Sequence, residues 1–421
     1  MLVPLILSTP ALLFLCRENI TTFTRYKSRV LLPILTEITE TFPGSAPPFD
    51  VKRLQTVSSQ QQRIVQAPLI ITTMASEKLF RDLPTFPDDV PVMPMSTISL
   101  ANLRSGDIDT AQRVLDACQE LGFFLLDLRG DQLGEIMMDE VDQLFDVGKN
   151  MMNMSDDIKQ QYLHDIPRSF LGFKPRGSAK TETGGPDRFE WFNIGQDALM
   201  GNTPLQPLPD LVRGNLSLLK SFLNHGQDIV AMISSTLASQ LSLPPDSFTS
   251  MQPPDKPSGT VIRVIKAFAF TEPEDDLQTS MIHHTDFGTI TLLANVLGGL
   301  QVLAPGGSPS DESAWRWVRP QPGCLIVNLG DAMVQWTSGI LRSNVHRIRY
   351  APGQQRYVNR YSLALLVRPE RNASMRSMVG GEAEDTEDSN LTAWEWEVKK
   401  LMALSREGPA AQSKGGKALA V

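Results

Sequence analysis

The spacing of hydrophobic positions changes along this chain. In separate stretches between residues 109 and 241, apolar side chains recur every three or four residues, which is typical of helices with one buried face. The longest such stretch is Leu211 to Leu241. Between about Val261 and Val367, short runs rich in Ile, Val, Leu and Thr predominate, and such runs favour strands. The pattern therefore predicts helices first and a β-rich region after them.

Capping residues place the ends of one early helix. Asp109 with Gln112 fits a capping box, and Gly122 supplies the stop. The apolar stripe of this helix consists of Val114, Leu115, Cys118 and Leu121. Phe123 to Leu126 is an apolar run that we interpret as a buried strand.

A second capping box predicts a helix near the carboxyl end of the chain. Thr392 and Glu395 are three residues apart and precede an apolar periodic stretch. Trp394, Val398 and Leu401 lie at i, i+4 and i+7, so they share one helix face. We expect this face to dock on the body of the protein.

Composition excludes several classes of partner. The 421 residues carry a net charge of -8 and no Lys/Arg cluster, which argues against nucleic acid and anionic membranes. Leu2 to Leu15 is apolar, but it is short for a membrane span and no basic residue precedes it, so we expect no stable membrane insertion. The three cysteines (Cys16, Cys118, Cys324) form no disulfide framework, which favours a reducing, cytoplasmic location. We expect a monomer.

His284-Thr285-Asp286 is the most informative motif. In a strand, side chains at i and i+2 leave the same face, so His284 and Asp286 can converge on one ion while His283 faces the other side. His346 lies on a second predicted strand and can join them if the two strands fold alongside each other. Two imidazoles and one carboxylate can occupy one face of iron(II) and leave positions open for a co-substrate and dioxygen. An isolated His-x-Asp, by contrast, is usually a surface hydrogen-bonding pair.

Arg360 and Ser362 are also at i and i+2, so their side chains can project together toward one site. A guanidinium binds a carboxylate through two charge-assisted hydrogen bonds, and a hydroxyl adds a third. This pair is therefore a candidate for holding the distal carboxylate of 2-oxoglutarate. The alternative is an arginine paired with a structural Asp or Glu.

These motifs, together with their surroundings, resemble a known family. The matching segments are HTDFGTITLL, GLQVL, WRWVRPQPGCLIVNLGDAMVQWTSG, SNVHRI and RYSLALLVRP. From about Val90 to Pro369, roughly two thirds of the chain resembles the isopenicillin N synthase-like branch of the iron(II)- and 2-oxoglutarate-dependent dioxygenases, in a fungal form. The resemblance implies that His284, Asp286 and His346 bind iron(II) and that Arg360 and Ser362 bind the co-substrate carboxylate.

The family resemblance also implies a fold and a domain organisation. We expect an α+β protein with a double-stranded β-helix, or jelly roll, preceded by helices and followed by one helix. Residues 1–73 would form a loosely ordered extension, or a segment that the native protein lacks. Residues 74–250 would form an N-terminal region of helices and edge strands, and residues 251–375 the jelly-roll catalytic core. Residues 376–421 would contain an acidic loop, the docking helix and a disordered tail.

One departure from the family keeps a second function open. Lys266, Ala267 and Phe268 occupy the region in which a Tyr and a Pro would be expected near the keto acid end of 2-oxoglutarate. Either Lys266 replaces the Tyr as a donor, or iron alone holds that end. An oxidative cyclase that uses no 2-oxoglutarate is therefore an alternative, and a non-catalytic metal-binding protein is another.

The resemblance suggests the kind of reaction and of substrate. The enzyme would consume 2-oxoglutarate and dioxygen to hydroxylate, desaturate or cyclise a small, largely apolar organic molecule, in secondary-metabolite biosynthesis. The candidate pocket residues are Phe192, Lys266, Phe287 and Trp336.

Overall fold

The computed structural model describes residues 78–165, 169–181, 184–271, 281–379 and 387–407, with side chains as far as residue 402. The predicted extension over residues 1–73 lies outside this part of the chain. So do the greater part of the acidic loop and the predicted disordered tail from residue 408 onward. None of the described helices is long and apolar enough to cross a bilayer.

Nine helices and twelve strands are described within those ranges. The helices are α1 (Leu100–Ser105), α2 (Ile108–Glu120), α3 (Gln132–Met152), α4 (Asp156–Lys159), α5 (Gln196–Met200), α6 (Asp210–Arg213), α7 (Leu216–Gln240), α8 (Asp331–Trp336) and α9 (Ala393–Glu407). The strands are β1 (Thr97–Ser99), β2 (Phe123–Asp127), β3 (Gly172–Lys174), β4 (Phe189–Gly195), β5 (Val261–Ala267), β6 (Met281–His284), β7 (Ile290–Asn295), β8 (Leu300–Leu303), β9 (Trp315–Trp317), β10 (Cys324–Leu329), β11 (His346–Ile348) and β12 (Arg360–Leu366).

The strands form two sheets. The large sheet has the order β1-β2-β10-β7-β12-β5-β4-β3, and the small sheet has the order β6-β11-β8-β9. The four strands that precede Val261 extend the large sheet at both edges, two on each side. An apolar cluster that includes Phe123, Leu300 and Ile326 joins the two sheets. The predicted α+β jelly roll is therefore confirmed, and its large sheet is wider than the segment from Val261 to Val367 alone.

The large sheet has two different faces. On β12, Leu363 and Leu365 belong to the large apolar core that the helices share. Because side chains alternate along a strand, Arg360, Ser362 and Ala364 point the other way, into the space between the sheets, which we call the barrel interior. The alternation thus separates a helix-side core from an interior that carries polar side chains.

Two glycines let helices approach the large sheet closely. A methyl group at Gly226 of α7 would lie 2.4 Å from Cδ2 of Leu365 on β12. A methyl group at Gly148 of α3 would lie 2.9 Å from Cγ1 of Val264 on β5. Both distances are too short for carbon atoms in contact, so a larger residue would require the facing side chain or the helix to move. The helices thereby support β12 and β5 directly behind Arg360 and Ser362.

Two predicted helix boundaries differ from the structure. Asp107, and not Asp109, caps α2, because its carboxylate accepts a 2.8 Å hydrogen bond from the backbone N–H of Thr110. The predicted helix from Leu211 to Leu241 is split into α6 and α7 around Gly214. Gly122 ends α2 as expected. Its φ is +73° and its N–H donates to the carbonyl of Ala117.

Helix α9 begins as predicted but docks through another face. Thr392 and Glu395 exchange hydrogen bonds, which confirms the capping box. The buried residues are Ala393, Trp396 and Glu397. Trp394 is 45 % exposed, so the prediction that it leads the docking face is wrong. Its ring stacks instead beside the guanidinium of Arg371, 4.9 Å away, where an amphipathic side chain can remain half in water.

Replacing Gly226 with Val should destabilise the fold. The added side chain has no space against Leu365, and overpacking of this kind costs about 1–3 kcal/mol. The matched control is Ala231→Val on an exposed position of the same helix, where only helix propensity changes and the cost stays below about 1 kcal/mol. Urea unfolding measures both variants. Equal free energies of unfolding would show that α7 does not touch the sheet closely.

Candidate metal centre

Two histidines meet across the small sheet. Strand β11 pairs antiparallel with β6, and His346 is directly opposite His284. Their ring centroids are 4.3 Å apart. The strand that carries His346 therefore lies beside the strand that carries His284, as the predicted metal site requires. His283 turns away from the pair and lies beside Trp315, with ring centroids 6.3 Å apart.

The carboxylate of Asp286 approaches the two histidines from the connection between β6 and β7. The sequence predicts that His284 and Asp286 share one strand, but β6 ends at His284 and β7 begins at Ile290 in the other sheet. Asp286 lies in the connection, and its Oδ1 is 4.0 Å from Nε2 of both His284 and His346. Among the described residues, these three form the one group whose ligand atoms all lie within 4.8 Å of one another in a way that suits a metal ion.

Hydrogen bonds orient each potential ligand. Nδ1 of His284 lies 2.9 Å from the carbonyl of Ile282, and Nδ1 of His346 lies 3.2 Å from the carbonyl of Asn344. A carbonyl accepts only, so each Nδ1 carries the proton and each Nε2 keeps a free lone pair. The two Nε2 atoms are therefore available on the side that faces Asp286.

The Asp286 carboxylate is anchored through one of its two oxygens. Its Oδ2 accepts hydrogen bonds from Oγ1 of Thr291 and Nδ2 of Asn328, both at 2.8 Å. Oδ1 remains directed at the two imidazoles. Supporting contacts of this kind fix the direction of a metal ligand. Thr291 and Asn328 were not recognised from the sequence, although both are polar residues within otherwise apolar strands.

The protonation states of His284 and Asp286 at neutral pH favour the binding of a cation. Burial, and then the neighbouring His346, lower the pKa of His284 to about 4. Burial alone would raise the pKa of Asp286, but His346, His284 and the two hydrogen bonds lower it to about 2. At neutral pH, His284 is therefore neutral and Asp286 is ionised. These are the forms that bind a metal ion.

Arg360 and Ser362 point together into the barrel interior, as expected. Nη1 of Arg360 is 3.3 Å from Oγ of Ser362, and its Nε donates to the carbonyl of Gly298 at 2.9 Å. Nη2 is buried and has no hydrogen-bond partner among the described residues. Burial lowers the pKa of Arg360 to about 10, so the guanidinium is charged at neutral pH.

The alternative of a structural ion pair is not supported for Arg360. No carboxylate in the described parts of the chain forms a salt bridge with it, whereas the equally buried Arg347 reaches Glu312 at 2.6 Å. An unpaired buried guanidinium is costly unless a ligand supplies the missing acceptor. The observed geometry therefore fits a bound carboxylate.

Two predicted pocket residues lie on the wrong face of the large sheet. Phe192 is opposite Val264 and belongs to the helix-side core. Lys266 also faces the helices, where its Nζ donates to Oδ1 of Asn153 at 2.8 Å. Both predictions are corrected, because a shift of one residue reverses the face of a strand. Lys266 therefore does not replace the missing Tyr as a donor in the barrel interior.

The other two predicted pocket residues, Trp336 and Phe287, lie in different surroundings. Trp336 is fully buried on the helix side, stacked on Phe248, and its Nε1–H donates to the carbonyl of Ser374. It is a packing residue, which corrects the prediction. Phe287 is half-buried, with its ring 5.8 Å from Nζ of Lys400 on α9, and its role in a pocket stays a prediction.

The residues that do face the interior from β4 and β5 were missed. Phe189, Trp191 and Asn193 pair with Ala267, Ile265 and Arg263. Because Ala267, Ile265 and Arg263 are also the partners of Arg360, Ser362 and Ala364, all nine share the interior face. A charged residue in the apolar run VIRVI was the available signal for Arg263.

Comparisons with known proteins identify the family of the chain. The chain matches the 2OG-Fe(II) oxygenase superfamily over residues 261–369. It also matches the non-haem dioxygenase in morphine synthesis N-terminal family over residues 90–210. It is 30 % identical to a 2-oxoglutarate-dependent dioxygenase of Aspergillus fumigatus, over 70 % of this chain and 80 % of the relative. It is 29 % identical to another from Glarea lozoyensis, over 68 % of this chain and 83 % of the relative.

Solved structures show the same fold. A full-length Neurospora crassa protein in complex with alpha-KG superposes with a TM-score of 0.62 at 23 % identity, covering 76 % of this chain and 100 % of that protein. A 2OG-Fe(II) oxygenase family protein from Caulobacter crescentus has a TM-score of 0.62 at 22 % identity, covering 74 % of this chain and 99 % of that protein. The 30 % identity to the Aspergillus fumigatus dioxygenase, together with the two family matches, shows that the chain belongs to the 2OG-Fe(II) oxygenase superfamily.

Proposed function

We propose that this protein is an iron(II)- and 2-oxoglutarate-dependent oxygenase in which His284, Asp286 and His346 hold the metal ion. The convergence of three oriented ligand atoms within 4.8 Å of one another is the observation that carries the proposal. Two imidazoles and one carboxylate would leave positions on a bound ferrous ion open for the co-substrate and dioxygen.

Arg360 and Ser362 are proposed to bind the distal carboxylate of 2-oxoglutarate. The unpartnered Nη2 of Arg360 and the adjacent hydroxyl of Ser362 offer donors that the described chain does not use up. Gly298 fixes the guanidinium by accepting from its Nε. When bound, iron and 2-oxoglutarate supply the oxidising chemistry, with succinate and carbon dioxide as by-products of the co-substrate.

The protein residues mainly orient the reactants and exclude water. Phe123 packs edge-on against His346, with ring centroids 5.4 Å apart, and shields the metal centre from the apolar side. Thr291 and Asn328 keep Asp286 ionised and directed. The substrate is proposed to be a small organic molecule of secondary metabolism that is hydroxylated, desaturated or cyclised. Operation as a cytoplasmic monomer stays a prediction.

The cyclase alternative is less well supported. It requires that Arg360 and Ser362 bind the substrate's own carboxylate, and the interior position of Ala267 does leave the family's Tyr without a substitute. The relatives, however, are named as 2-oxoglutarate-dependent dioxygenases. Release of labelled carbon dioxide from 2-oxoglutarate labelled at C1 separates the two functions, because a cyclase without co-substrate would release none.

Replacement of any one metal ligand by Ala should abolish turnover and weaken iron binding by at least about 100-fold, since even supporting contacts to ligands are worth 10–100-fold. Anaerobic titration with ferrous iron in the presence of 2-oxoglutarate measures binding through the metal-to-ligand charge-transfer absorption. His283→Ala is the matched control, because His283 is adjacent in sequence but lies beside Trp315. The ligand assignment is wrong if His283→Ala and His284→Ala behave alike.

Replacement of Arg360 with Gln should raise the KM for 2-oxoglutarate by about 10–100-fold, as expected for the loss of hydrogen bonds to a charged group. Ser362→Ala should raise it by less than about 10-fold, because only one neutral donor is lost. Affinity for ferrous iron alone should not change in either variant. An unaltered KM in Arg360→Gln would exclude this arginine from the co-substrate site.

A further inference from the structure

Arg263 is a second arginine in the barrel interior that the proposed function does not use. It lies on β5 directly opposite Ala364 of β12, two residues beyond Ser362 on the same face. Ala364 has a small side chain, which leaves space beside the guanidinium.

The guanidinium of Arg263 is held in place but not neutralised. Its Nε donates to Oδ1 of Asn193 at 2.8 Å, and its central carbon is 4.2 Å from the ring centroid of Trp191. Within the described ranges of the chain, its two terminal nitrogens have no hydrogen-bond partner and it forms no salt bridge. Burial lowers the pKa of Arg263, and the charge of nearby Asp286 opposes that lowering without a direct contact. Arg347 and Arg368, by contrast, pair with Glu312 and Glu397. Arg263 is therefore a fixed cation with its donor fork open.

Arg263 lines a cavity of about 240 Å³ together with Arg368 and Arg371, and the three metal ligands are not among the residues that line it. Asn193, Phe170 and Leu171 line the same cavity, so its wall near Arg263 is partly apolar. Its one acidic lining residue, Asp197, already accepts hydrogen bonds from the backbone N–H of Ser258. The cavity thus offers donors and positive charge next to apolar surface.

A second unused donor adjoins Arg263. Nε1 of Trp191 is buried and has no partner among the described residues, although a buried indole N–H usually finds an acceptor. Two neighbouring interior side chains therefore both lack acceptors. Unmet donors of this kind are expected where a ligand supplies the acceptors.

The strand register places Arg263 near the metal centre. Ala364, its partner, is two residues before Leu366, and Leu366 pairs with Thr291, whose hydroxyl binds Asp286. Two residues of a strand span about 7 Å. A molecule held by Arg263 therefore lies within the length of one small organic compound from the three metal ligands.

We propose that Arg263 binds a carboxylate of the substrate, so that the enzyme oxidises an organic acid with an apolar body. A planar carboxylate matches the two terminal nitrogens of the guanidinium, and Trp191 provides a flat apolar surface beside it. Arg360 would hold the co-substrate acid, and Arg263 the acid to be oxidised. This proposal rests on the proposed function, because it assigns the substrate of the same metal site.

The test compares acids with their neutral amides. The full-length protein is loaded with Mn²⁺ and saturating 2-oxoglutarate under anaerobic conditions, so that Arg360 is occupied and no turnover occurs. Three pairs are titrated by tryptophan fluorescence and by thermal shift: phenylacetate and phenylacetamide, cinnamate and cinnamamide, 1-naphthoate and 1-naphthamide. At least one acid should bind about 10-fold or more tightly than its amide.

Variants test whether Arg263 is the residue that causes the preference for the acid over the amide. Arg263→Gln should remove the preference for the acid and leave the affinity for the amide within about 3-fold, while Arg263→Lys should retain part of it because the charge remains without the fork. Arg213→Gln, on the exposed surface, is the matched control and should bind like the wild type. If Arg263→Gln does not fold, the proposal is still tested by comparing the acid-to-amide affinity ratio of Arg263→Lys with that of the wild type.

Two results would overturn this proposal. One is that no acid binds more tightly than its amide to the wild type, including the case in which no probe binds. The other is a preference that survives in Arg263→Gln. The charge-transfer absorption and the release of carbon dioxide from 2-oxoglutarate are measured on the same preparation. If both are present, the failure concerns the substrate class only, whereas their absence would refute the oxygenase function.

Discussion

The pairing of β11 with β6 is the interaction on which the site depends. It sets His346 opposite His284, although 61 residues separate them in sequence, and it fixes both imidazoles on one face of the small sheet. The corner after His284 then carries Asp286 toward the large sheet, where Thr291 and Asn328 hold it. A slip of one residue in this pairing would turn one imidazole to the opposite face, so the backbone hydrogen bonds of the small sheet determine whether three ligands converge.

Buried charges on the two faces of the large sheet are compensated to different extents. On its helix side, Lys159 pairs with Glu190 at 2.9 Å, and Lys266 donates to Asn153. In the interior, Lys174 of β3 pairs with Asp187 at 2.8 Å, whereas Arg360 and Arg263 form no salt bridge with a carboxylate of the described chain. Because an uncompensated buried charge destabilises the fold, these two arginines are the groups for which we propose ligands.

Helices α7 and α3 pack closely on the side of the large sheet that faces away from the interior arginines. Gly226 and Gly148 allow α7 and α3 to lie directly on β12 and β5, the strands that carry the two interior arginines. Leu365 and Val264, which meet these glycines, alternate with the interior residues along the same strands. Close packing on one face therefore limits movement of the guanidinium groups on the other, which is what a site that must orient two ligands requires.

The sequence by itself determined the class of fold, the three candidate metal ligands and the candidate carboxylate-binding pair. These depend on residue types at short spacings. For Arg360 and Ser362 the side-chain period of a strand correctly predicts a common direction, whereas Asp286 approaches His284 from the connection that follows β6. Tertiary structure decided which face. The sequence analysis placed Phe192 and Lys266 in the pocket. On β4 the residue that faces the interior is instead Trp191, one position before Phe192, and on β5 it is Arg263, three positions before Lys266. Each face of β5 carries one cationic side chain among apolar ones, Arg263 on the interior and Lys266 on the helix side, so residue type does not distinguish the faces of this strand. Only the pairing of distant strands shows which side contains the candidate metal centre.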